Sequence, residues 1–319
     1  MPAGVHDRKM REHVFNSAAV MPQCWYPAMR SAHLKVGQVK AFELFKRPLV
    51  AYRTEESSVF ALDGHCPHMG ASLSHACVTN NDLRCAFHHL LIGSDGSYQS
   101  GSEHGTVTSY PVVEKWGTIW VFNGPAPLFD MPDPLESDLE FVSLYLGTTH
   151  FNCHPHVVAA NAFDMSHLDK LHGIELLAPP VVSEFSPHMI TVEWRGRPSG
   201  WPVHFMGGKK SSVLVKNSIV GSLLTWIHIA EPLPYHIVYG RRPIPLTKTG
   251  RVGSKTQTFL FASKRTLLDP RFLSTLVFHT KVLLEDRRLL SDIEFSPHFL
   301  PTDEAMAALY RHINNQEIY

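Results

Sequence analysis

Two short cysteine–histidine segments constrain the fold of this chain more than any other feature. Cys66 precedes His68 by two positions and, after sixteen further residues, Cys85 precedes His88 by three. Each pair is close enough in sequence for one tight loop to present both side chains to the same metal centre. The two loops could therefore clasp one centre, and the short alternating strands around them indicate a β-rich frame.

Three explanations of this pattern compete: a [2Fe–2S] cluster, a zinc site and chance. The two loops could hold a [2Fe–2S] cluster in which the two thiolates bind one iron and the two imidazoles bind the other. Zinc sites favour two cysteines in one arm and two histidines in the other, whereas the two types alternate here. The chain contains 21 histidines, so some pairs must arise by chance, but chance does not explain two such loops in a strand-rich context. The cluster is therefore favoured over zinc, and zinc over chance.

The composition is that of a soluble globular enzyme. Of the 319 residues, 44% are hydrophobic and 18% charged, and the 29 basic residues balance 29 acidic ones. This balance gives no indication of a nucleic-acid surface. Five cysteines are too few for a disulfide framework, and neither a signal peptide nor an apolar run of 18 residues is present. We expect a cytoplasmic protein with no nucleic-acid or membrane partner.

The chain divides into two parts of different character. Residues 1–24 form a polar N-terminal arm, loose over its first 20 residues, and residues 25–124 form an all-β domain that closes with a hairpin at 110–124. A proline-rich linker, 125–138, leads to a second domain at 139–319.

The second domain mixes helices and strands. Helical spacing covers residues 156–172, strands recur over 183–262, and one long helix runs from residue 269 to about residue 295. Its Asp269-Pro270 start suits a first helical turn. Together the two domains predict an α+β fold.

A second group of metal-binding residue types lies in the first predicted helix. His167 and His172 are five residues apart, which leaves their side chains about 140° apart on a regular helix. The helix must therefore bend or end near Gly173 if both are to bind one metal. Asp164, three residues before His167, can accept a hydrogen bond from the His167 ring and fix its tautomer. Without other evidence, a polar helix with two satisfied histidines would be the better interpretation.

Both groups resemble one family. The segments CPHMGASLS and LRCAFHHLLIGSDG resemble the two cluster loops of Rieske domains in ring-hydroxylating oxygenases, and YPVVEKWGTIWVFNG resembles the strands that close that domain. The pattern N-x₂-D-x₂-H-x₄-H at 161–172 resembles the mononuclear-iron helix of the same enzymes. One departure is His89, which stands where the family usually has glycine, a residue that gives the backbone freedom. The spacing favours His88 over His89 as the ligand.

The resemblance implies two cofactors. Cys66, His68, Cys85 and His88 would hold the [2Fe–2S] cluster. A mononuclear Fe(II) would be bound by His167, His172 and a carboxylate from the last long helix of a helix-grip domain, which is an antiparallel sheet with a long helix. In that helix Asp286 is the closest match, Glu285 is the runner-up, and the other acids are Asp292 and Glu294.

The resemblance also implies a chemistry and partners. The chain is similar to single-subunit monooxygenases, which use O₂ and electrons from a separate reductase or ferredoxin. They hydroxylate or demethylate small apolar molecules of aromatic, alkaloid-like or steroid-like type. A homotrimer is implied, in which Asp164 bridges His167 and His88 of the partner subunit. We expect the pocket walls to come from the strands of the second domain, where Trp226, Phe259 and Phe261 alternate with polar residues, and ordinary core packing explains these three aromatic residues equally well.

Two other classes of protein remain open. One is a Rieske electron-transfer or redox-sensing protein whose second domain merely binds an apolar ligand, and it predicts no iron at His167 and His172. The other is a zinc-stabilised binding module, which predicts a colourless protein. Iron and sulfide content, with an absorbance spectrum, would separate all three.

Overall fold

The computed structural model describes residues 13–133, 141–199, 212–246, 249–291 and 293–319. Within these ranges a first unit built from strands is followed by a second unit of one large sheet and several helices. The predicted α+β fold is confirmed. Among the helices described, none is long and apolar enough to cross a membrane.

The first unit contains three small antiparallel sheets. Its strands are β1 (Trp25–Arg30), β2 (Val39–Leu44), β3 (Arg47–Arg53), β4 (Val59–Asp63), β5 (Cys77–Thr79), β6 (Asp82–Arg84), β7 (Leu91–Ile92), β8 (Ser97–Ser100), β9 (Glu103–Thr106), β10 (Ser109–Tyr110), β11 (Val112–Lys115) and β12 (Thr118–Phe122). The sheet orders are β1-β12-β11, β10-β4-β3-β2 and β5-β6-β7-β8-β9. The predicted hairpin is present, since β11 and β12 pair from Val112 opposite Val121 to Lys115 opposite Thr118.

The second unit is one antiparallel sheet with helices on one face. Its strands are β13 (Phe141–Phe151), β14 (Ile174–Leu176), β15 (Val181–Ser186), β16 (Met189–Pro198), β17 (Val213–Val220), β18 (Leu224–Glu231), β19 (Tyr235–Pro245) and β20 (Val252–Ser263). The order is β13-β20-β19-β18-β17-β16-β14, and β15 pairs with β16. The helices are α1 (Pro155–Ala160), α2 (Ser166–His172), α3 (Lys264–Leu268), α4 (Pro270–Leu290) and α5 (Glu304–Asn314), and the 3₁₀ turns are Ser31–His33, Leu73–His75 and Asn161–Phe163.

The two faces of the large sheet belong to different cores. Successive side chains of a strand point to opposite faces, so Tyr235, Ile237 and Tyr239 of β19 pack into the core of the second unit. Val238, between them, lies in a cluster that also contains residues of the first unit. The sheet therefore has one face toward its own helices and one toward the first unit.

The contact between the two units is largely aromatic. We call Trp116, Trp120, Trp226, Phe259 and Phe261 the aromatic junction. In it, the rings of Trp116 and Phe261 have centroids 5.2 Å apart, and those of Trp120 and Phe259 are 5.9 Å apart. Gly240 of β19 permits this approach, because a Cβ there would lie 2.2 Å from the Trp120 ring.

The predicted helix at 156–172 is interrupted. Helix α1 ends at Ala160, a 3₁₀ turn follows, and the backbone of Asp164 is extended, with φ −80° and ψ 100°. The chain becomes helical again at Ser166. The continuous helix predicted from apolar spacing was therefore wrong, because apolar periodicity does not report a break that a polar side chain stabilises locally. The long helix was predicted correctly but ends at Leu290, earlier than expected.

The described part of the N-terminal arm is not loose. Val14 and Phe15 are buried in the core of the second unit, and their backbone N–H groups donate to Asn314 Oδ1 at 2.9 and 3.0 Å. The expectation of a loose segment was wrong at these positions, because two apolar residues are buried against a helix almost 300 positions away.

Candidate cluster loops and iron site

The two cysteine–histidine loops have the same backbone conformation. They follow β4 and β6, and in each the cysteine N–H donates to the carbonyl five residues later, while the N–H four residues later donates to the cysteine carbonyl. The four N–O distances are Cys66–Ala71 2.8 Å, Gly70–Cys66 2.9 Å, Cys85–Leu90 2.9 Å and His89–Cys85 3.1 Å. Two sequences with different internal spacing thus present a cysteine from equivalent positions.

This equivalence explains the unusual residue His89. It occupies the same place in the second loop as Gly70 in the first, and both are left-handed, with φ of +62° and +74°. An L-residue in this conformation costs about 1–2 kcal/mol relative to the right-handed region. The loop therefore keeps the glycine-type backbone without the glycine.

Buried cysteines and exposed histidines distinguish the two sides of this site. Cys66 and Cys85 are only 3% and 1% exposed, whereas His68 and His88 are exposed, with ring centroids 4.7 Å apart. Burial raises the pKa of the Cys66 thiol, which a hydrogen bond from the His68 backbone partly offsets. Two buried thiols beneath two neighbouring surface imidazoles match the donor set of a [2Fe–2S] cluster with one thiolate-bound and one imidazole-bound iron.

The second site joins α2 to α4. His167, His172 and Asp286 each offer one ligand atom, and these three atoms lie within 4.8 Å of one another. Asp286 Oδ1 is 2.9 Å from His172 Nε2 and 3.8 Å from His167 Nε2. Helix α2 ends directly after His172, where Gly173 is left-handed with φ +66°. The predicted helix end near Gly173 is therefore confirmed, and both imidazoles face one carboxylate.

Glu285, the alternative ligand, contacts the opposite side of His172. Its Oε2 lies 2.9 Å from His172 Nδ1, and its Oε1 is 3.2 Å from Lys281 Nζ. Burial lowers the pKa of His172, but hydrogen bonds to Asp286 and Glu285 outweigh it, so the net pKa is raised. Since a ligating imidazole must lose this proton, metal binding here would release it.

Of the other two acids, Glu294 is not part of this group. Glu294 lies 3.8 Å from Arg251 and its side chain is mostly exposed, and Asp292 lies outside the described residues.

Asp164 caps α2 instead of lying within a helix. Its Oδ1 accepts hydrogen bonds from Ser166 N at 3.1 Å and Ser166 Oγ at 2.8 Å, while Oδ2 is 3.6 Å from His167 Nδ1. That distance is longer than a hydrogen bond, and His167 Nδ1 is buried without another partner. Burial raises the pKa of Asp164, but contacts with His167 and Ser166 outweigh it and lower the pKa to about 2.

A cavity opens beside His167, His172 and Asp286. Its walls are mainly apolar and include Phe151, Trp194, Val215, Ile227, Ile229, Phe278 and Leu290. Polar side chains also line it, notably Asn217, Arg241 and the pair Tyr239 and His279, whose Oη and Nε2 atoms are 2.6 Å apart.

Strands of the second unit line the cavity as predicted, but Trp226, Phe259 and Phe261 do not. Trp226 and Phe261 pack at the aromatic junction, and Ile227 and Ile229 line the cavity instead. Sequence reasoning also missed Arg241, although it lies on the same face of β19 as Tyr235 and Tyr239. The period-two alternation of this strand is the signal that could have located it.

Comparison with known proteins finds a Rieske domain in the first unit. A family model described as the Rieske [2Fe-2S] domain matches residues 24–111. Cholesterol 7-desaturase from Bombyx mori is 29% identical over 54% of this chain and 42% of its own length. Aminopyrrolnitrin oxygenase from Pseudomonas fluorescens is 27% identical over 56% of this chain and 50% of its own length. The chain thus spans about half the length of these relatives.

The fold also matches a solved structure. The crystal structure of dicamba monooxygenase bound to dicamba superposes with a TM-score of 0.65 over 92% of this chain and 97% of that one, at 21% identity. The predicted resemblance to the Rieske non-haem iron oxygenases, a class of oxidoreductases, is therefore confirmed. So are the two predicted cofactors, a [2Fe–2S] cluster and a mononuclear iron.

Proposed function

We propose that this chain is the oxygenase component of a Rieske non-haem iron monooxygenase system that hydroxylates or demethylates a small, largely apolar molecule. The observation that carries the proposal is the position of His167, His172 and Asp286 at the wall of an apolar cavity. Two histidines and one carboxylate on one face of a metal leave positions open for O₂ and substrate. The names of the relatives, a desaturase and two oxygenases, support the same chemistry.

We assign three roles to residues of the chain: binding of the cluster, binding of the iron and binding of the substrate. Cys66, His68, Cys85 and His88 hold the cluster, and His167, His172 and Asp286 hold the iron. When bound, these groups supply single electrons and the activation of O₂. The apolar walls exclude water from the bound substrate and hold its reacting carbon near the iron ligands.

Glu285 would orient one of the iron ligands. It accepts a hydrogen bond from His172 Nδ1 and so directs Nε2 toward the metal position beside Asp286. Conversely, the long contact between Asp164 and His167 leaves Asp164 Oδ2 available to a second donor. Its side chain is 35% exposed, so a partner could reach it.

We assign that second donor to His88 of the partner subunit, in a homotrimer. The exposed rings of His68 and His88 support this assignment, because they can be reached from outside the chain. Electrons would come from a separate reductase or ferredoxin, in a cytoplasmic setting.

Metal content and single turnover test the proposal together. We expect about three irons and two sulfides per chain in the wild type, and about two irons with an unchanged cluster spectrum in Asp286→Ala. Chemically reduced protein is then mixed with O₂ and with cholesterol, aminopyrrolnitrin or dicamba, and products are identified by mass spectrometry. Wild-type protein with only the cluster iron, or O₂-dependent product that persists in Asp286→Ala, would contradict the assignment. Two irons without turnover would favour the electron-transfer alternative.

A further inference from the structure

Arg241 is a buried cation at the wall of the cavity. It is 4% exposed and lines the cavity from β19, on the same strand face as Tyr239. Its guanidinium carbon lies 5.1 Å from the centre of the Tyr239 ring, and Tyr239 in turn contacts His279 on α4, the helix of Asp286. A buried cation and the candidate iron ligands therefore line the same cavity. Tyr239 contacts both Arg241 and the helix that carries Asp286.

One side of the guanidinium is fixed and the other is left without a partner. Nη1 donates to the Leu223 carbonyl at 3.2 Å and to Thr225 Oγ1, which sets the plane of the group. Nε is buried without a hydrogen bond, and Nη2 has none to any residue the structure describes. Nη2 is therefore the guanidinium nitrogen whose N–H groups are left to pair with an oxygen of an anion in the cavity.

Arg241 also lacks an acidic partner. In the described part of the chain, its guanidinium forms no ion pair with Asp or Glu, in contrast to Arg53, which pairs with Glu114 at 2.9 Å. A buried charge without a counter-ion is costly. This cost is offset when an anion that enters the cavity supplies the missing charge.

We propose that the substrate is an apolar carboxylic acid whose carboxylate pairs with Arg241 while its aromatic or alicyclic body extends toward His167, His172 and Asp286. The inference rests on the proposed function for the role of the cavity and adds a charged group to a substrate otherwise expected to be apolar. Arg241 acts here as a specificity determinant and takes no part in the reaction itself.

Matched acid and amide probes test this inference. Binding of 4-methoxybenzoate and 1-naphthoate, each compared with its carboxamide, is measured at pH 7.5 by calorimetry on the holoprotein. We expect the acid of at least one pair to bind at least tenfold more tightly than its amide. Arg241→Gln should abolish that preference. Arg242→Gln is the matched control, because Arg242 neighbours Arg241 but bonds the Glu43 carbonyl at 2.8 Å and does not line the cavity.

The outcomes separate this inference from the proposed function. If no acid is preferred by the wild type, including the case in which no probe binds, the inference is overturned, while an iron content of three per chain leaves the oxygenase proposal intact. An acid preference in protein with only the cluster iron would support the anion site and reject the oxygenase. If Arg241→Gln does not fold, as judged from its cluster spectrum and melting temperature, Arg241→Lys and the wild-type comparison decide, and a preference unchanged in a folded Arg241→Gln would overturn the inference.

Discussion

His172 and Glu285 are joined by a hydrogen bond of 2.9 Å between imidazole Nδ1 and carboxylate Oε2. His172 Nε2 is likewise 2.9 Å from Asp286 Oδ1, so each ring nitrogen faces one carboxylate, and a metal bound between His172 and Asp286 would replace the proton on Nε2. A carboxylate behind a ligating imidazole fixes its tautomer and increases its basicity. Adjacent acids on one helix thus serve different purposes, one at each nitrogen of the same ring.

Removal of Glu285 should weaken iron binding without removing a ligand. We expect Glu285→Ala to lower the affinity for Fe(II) about 10–100-fold while the cluster spectrum stays unchanged. Iron retention against a graded chelator measures the effect. Glu294→Ala is the control, because Glu294 lies away from the site. Equal iron retention in the two variants would show that Glu285 has no part in holding His172.

Replacement of Cys85 should remove the cluster. Cys85→Ser leaves one thiolate of the pair, so we expect protein without the visible absorption of a [2Fe–2S] centre. Cys77→Ser serves as the control, since Cys77 is an exposed cysteine of β5 in the same unit. Absorbance and acid-labile sulfide measure the difference, and a full cluster in Cys85→Ser would reject the ligand assignment.

Asp164→Asn should slow electron transfer without changing the stability of the protein. Asparagine caps helices about as well as aspartate, so the melting temperature should change little, but the negative charge that lies 3.6 Å from His167 Nδ1 and that we propose to accept from a second donor is lost. We expect metal content to be retained and reoxidation of the reduced cluster by O₂ and substrate to slow by at least tenfold, as measured by stopped flow. Ser166→Ala, which removes the hydrogen bond from Ser166 Oγ to Asp164 Oδ1 but keeps the carboxylate charge, should keep the wild-type rate. A wild-type rate in Asp164→Asn would exclude Asp164 from electron transfer.

His154 should make stability depend on pH. Burial lowers its pKa to about 4, although a hydrogen bond to the Ser17 carbonyl acts in the opposite direction. Its Nδ1 accepts from His156 N at 3.2 Å at the start of α1, and only an unprotonated Nδ1 can accept. Because the folded pKa is lowered, this stabilisation is complete above pH 6.5 and is lost as the pH falls toward 4, by up to about 3 kcal/mol.

Urea unfolding between pH 7.5 and 4.5 measures this loss. His154→Asn retains a capping side chain without a titrating group, so its stability should fall less steeply with decreasing pH. The exposed His33→Asn variant should keep the wild-type slope. Parallel curves for His154→Asn and wild type would contradict the expectation.

Local patterns allowed the candidate ligand residues and the loops that carry them to be located, whereas long-range packing concealed the cavity. Each of the pairs Cys66–His68, Cys85–His88 and His167–His172 lies within a few consecutive residues. The structure has a loop at each of the first two pairs and a helix end after the third. Which face of β18 lines the cavity depends on what packs against each side of the sheet. In β18 apolar residues occur at both odd and even positions. The sequence therefore does not show whether Trp226 or Ile227 faces the cavity.

The position of Arg241 could not be predicted for a related reason. An arginine in a strand is usually a surface residue, and the hydrogen bonds that hold Arg241 inside the protein come from the Leu223 carbonyl and from Thr225 of the neighbouring strand β18. The sequence placed Asp164 close to His167, and the structure has the two side chains 3.6 Å apart, but the break in the helix that leaves the Asp164 backbone extended was not predicted.

The aromatic junction has a consequence for how the chain unfolds. Trp120 is fully buried, and it packs against Gly240 and Phe259 of the other unit. Separation of the units would expose these large apolar surfaces to water, at about 25 cal/mol for each Å². We therefore expect one cooperative thermal transition for the whole chain, and an excised first unit should aggregate unless the exposed tryptophan face is made polar.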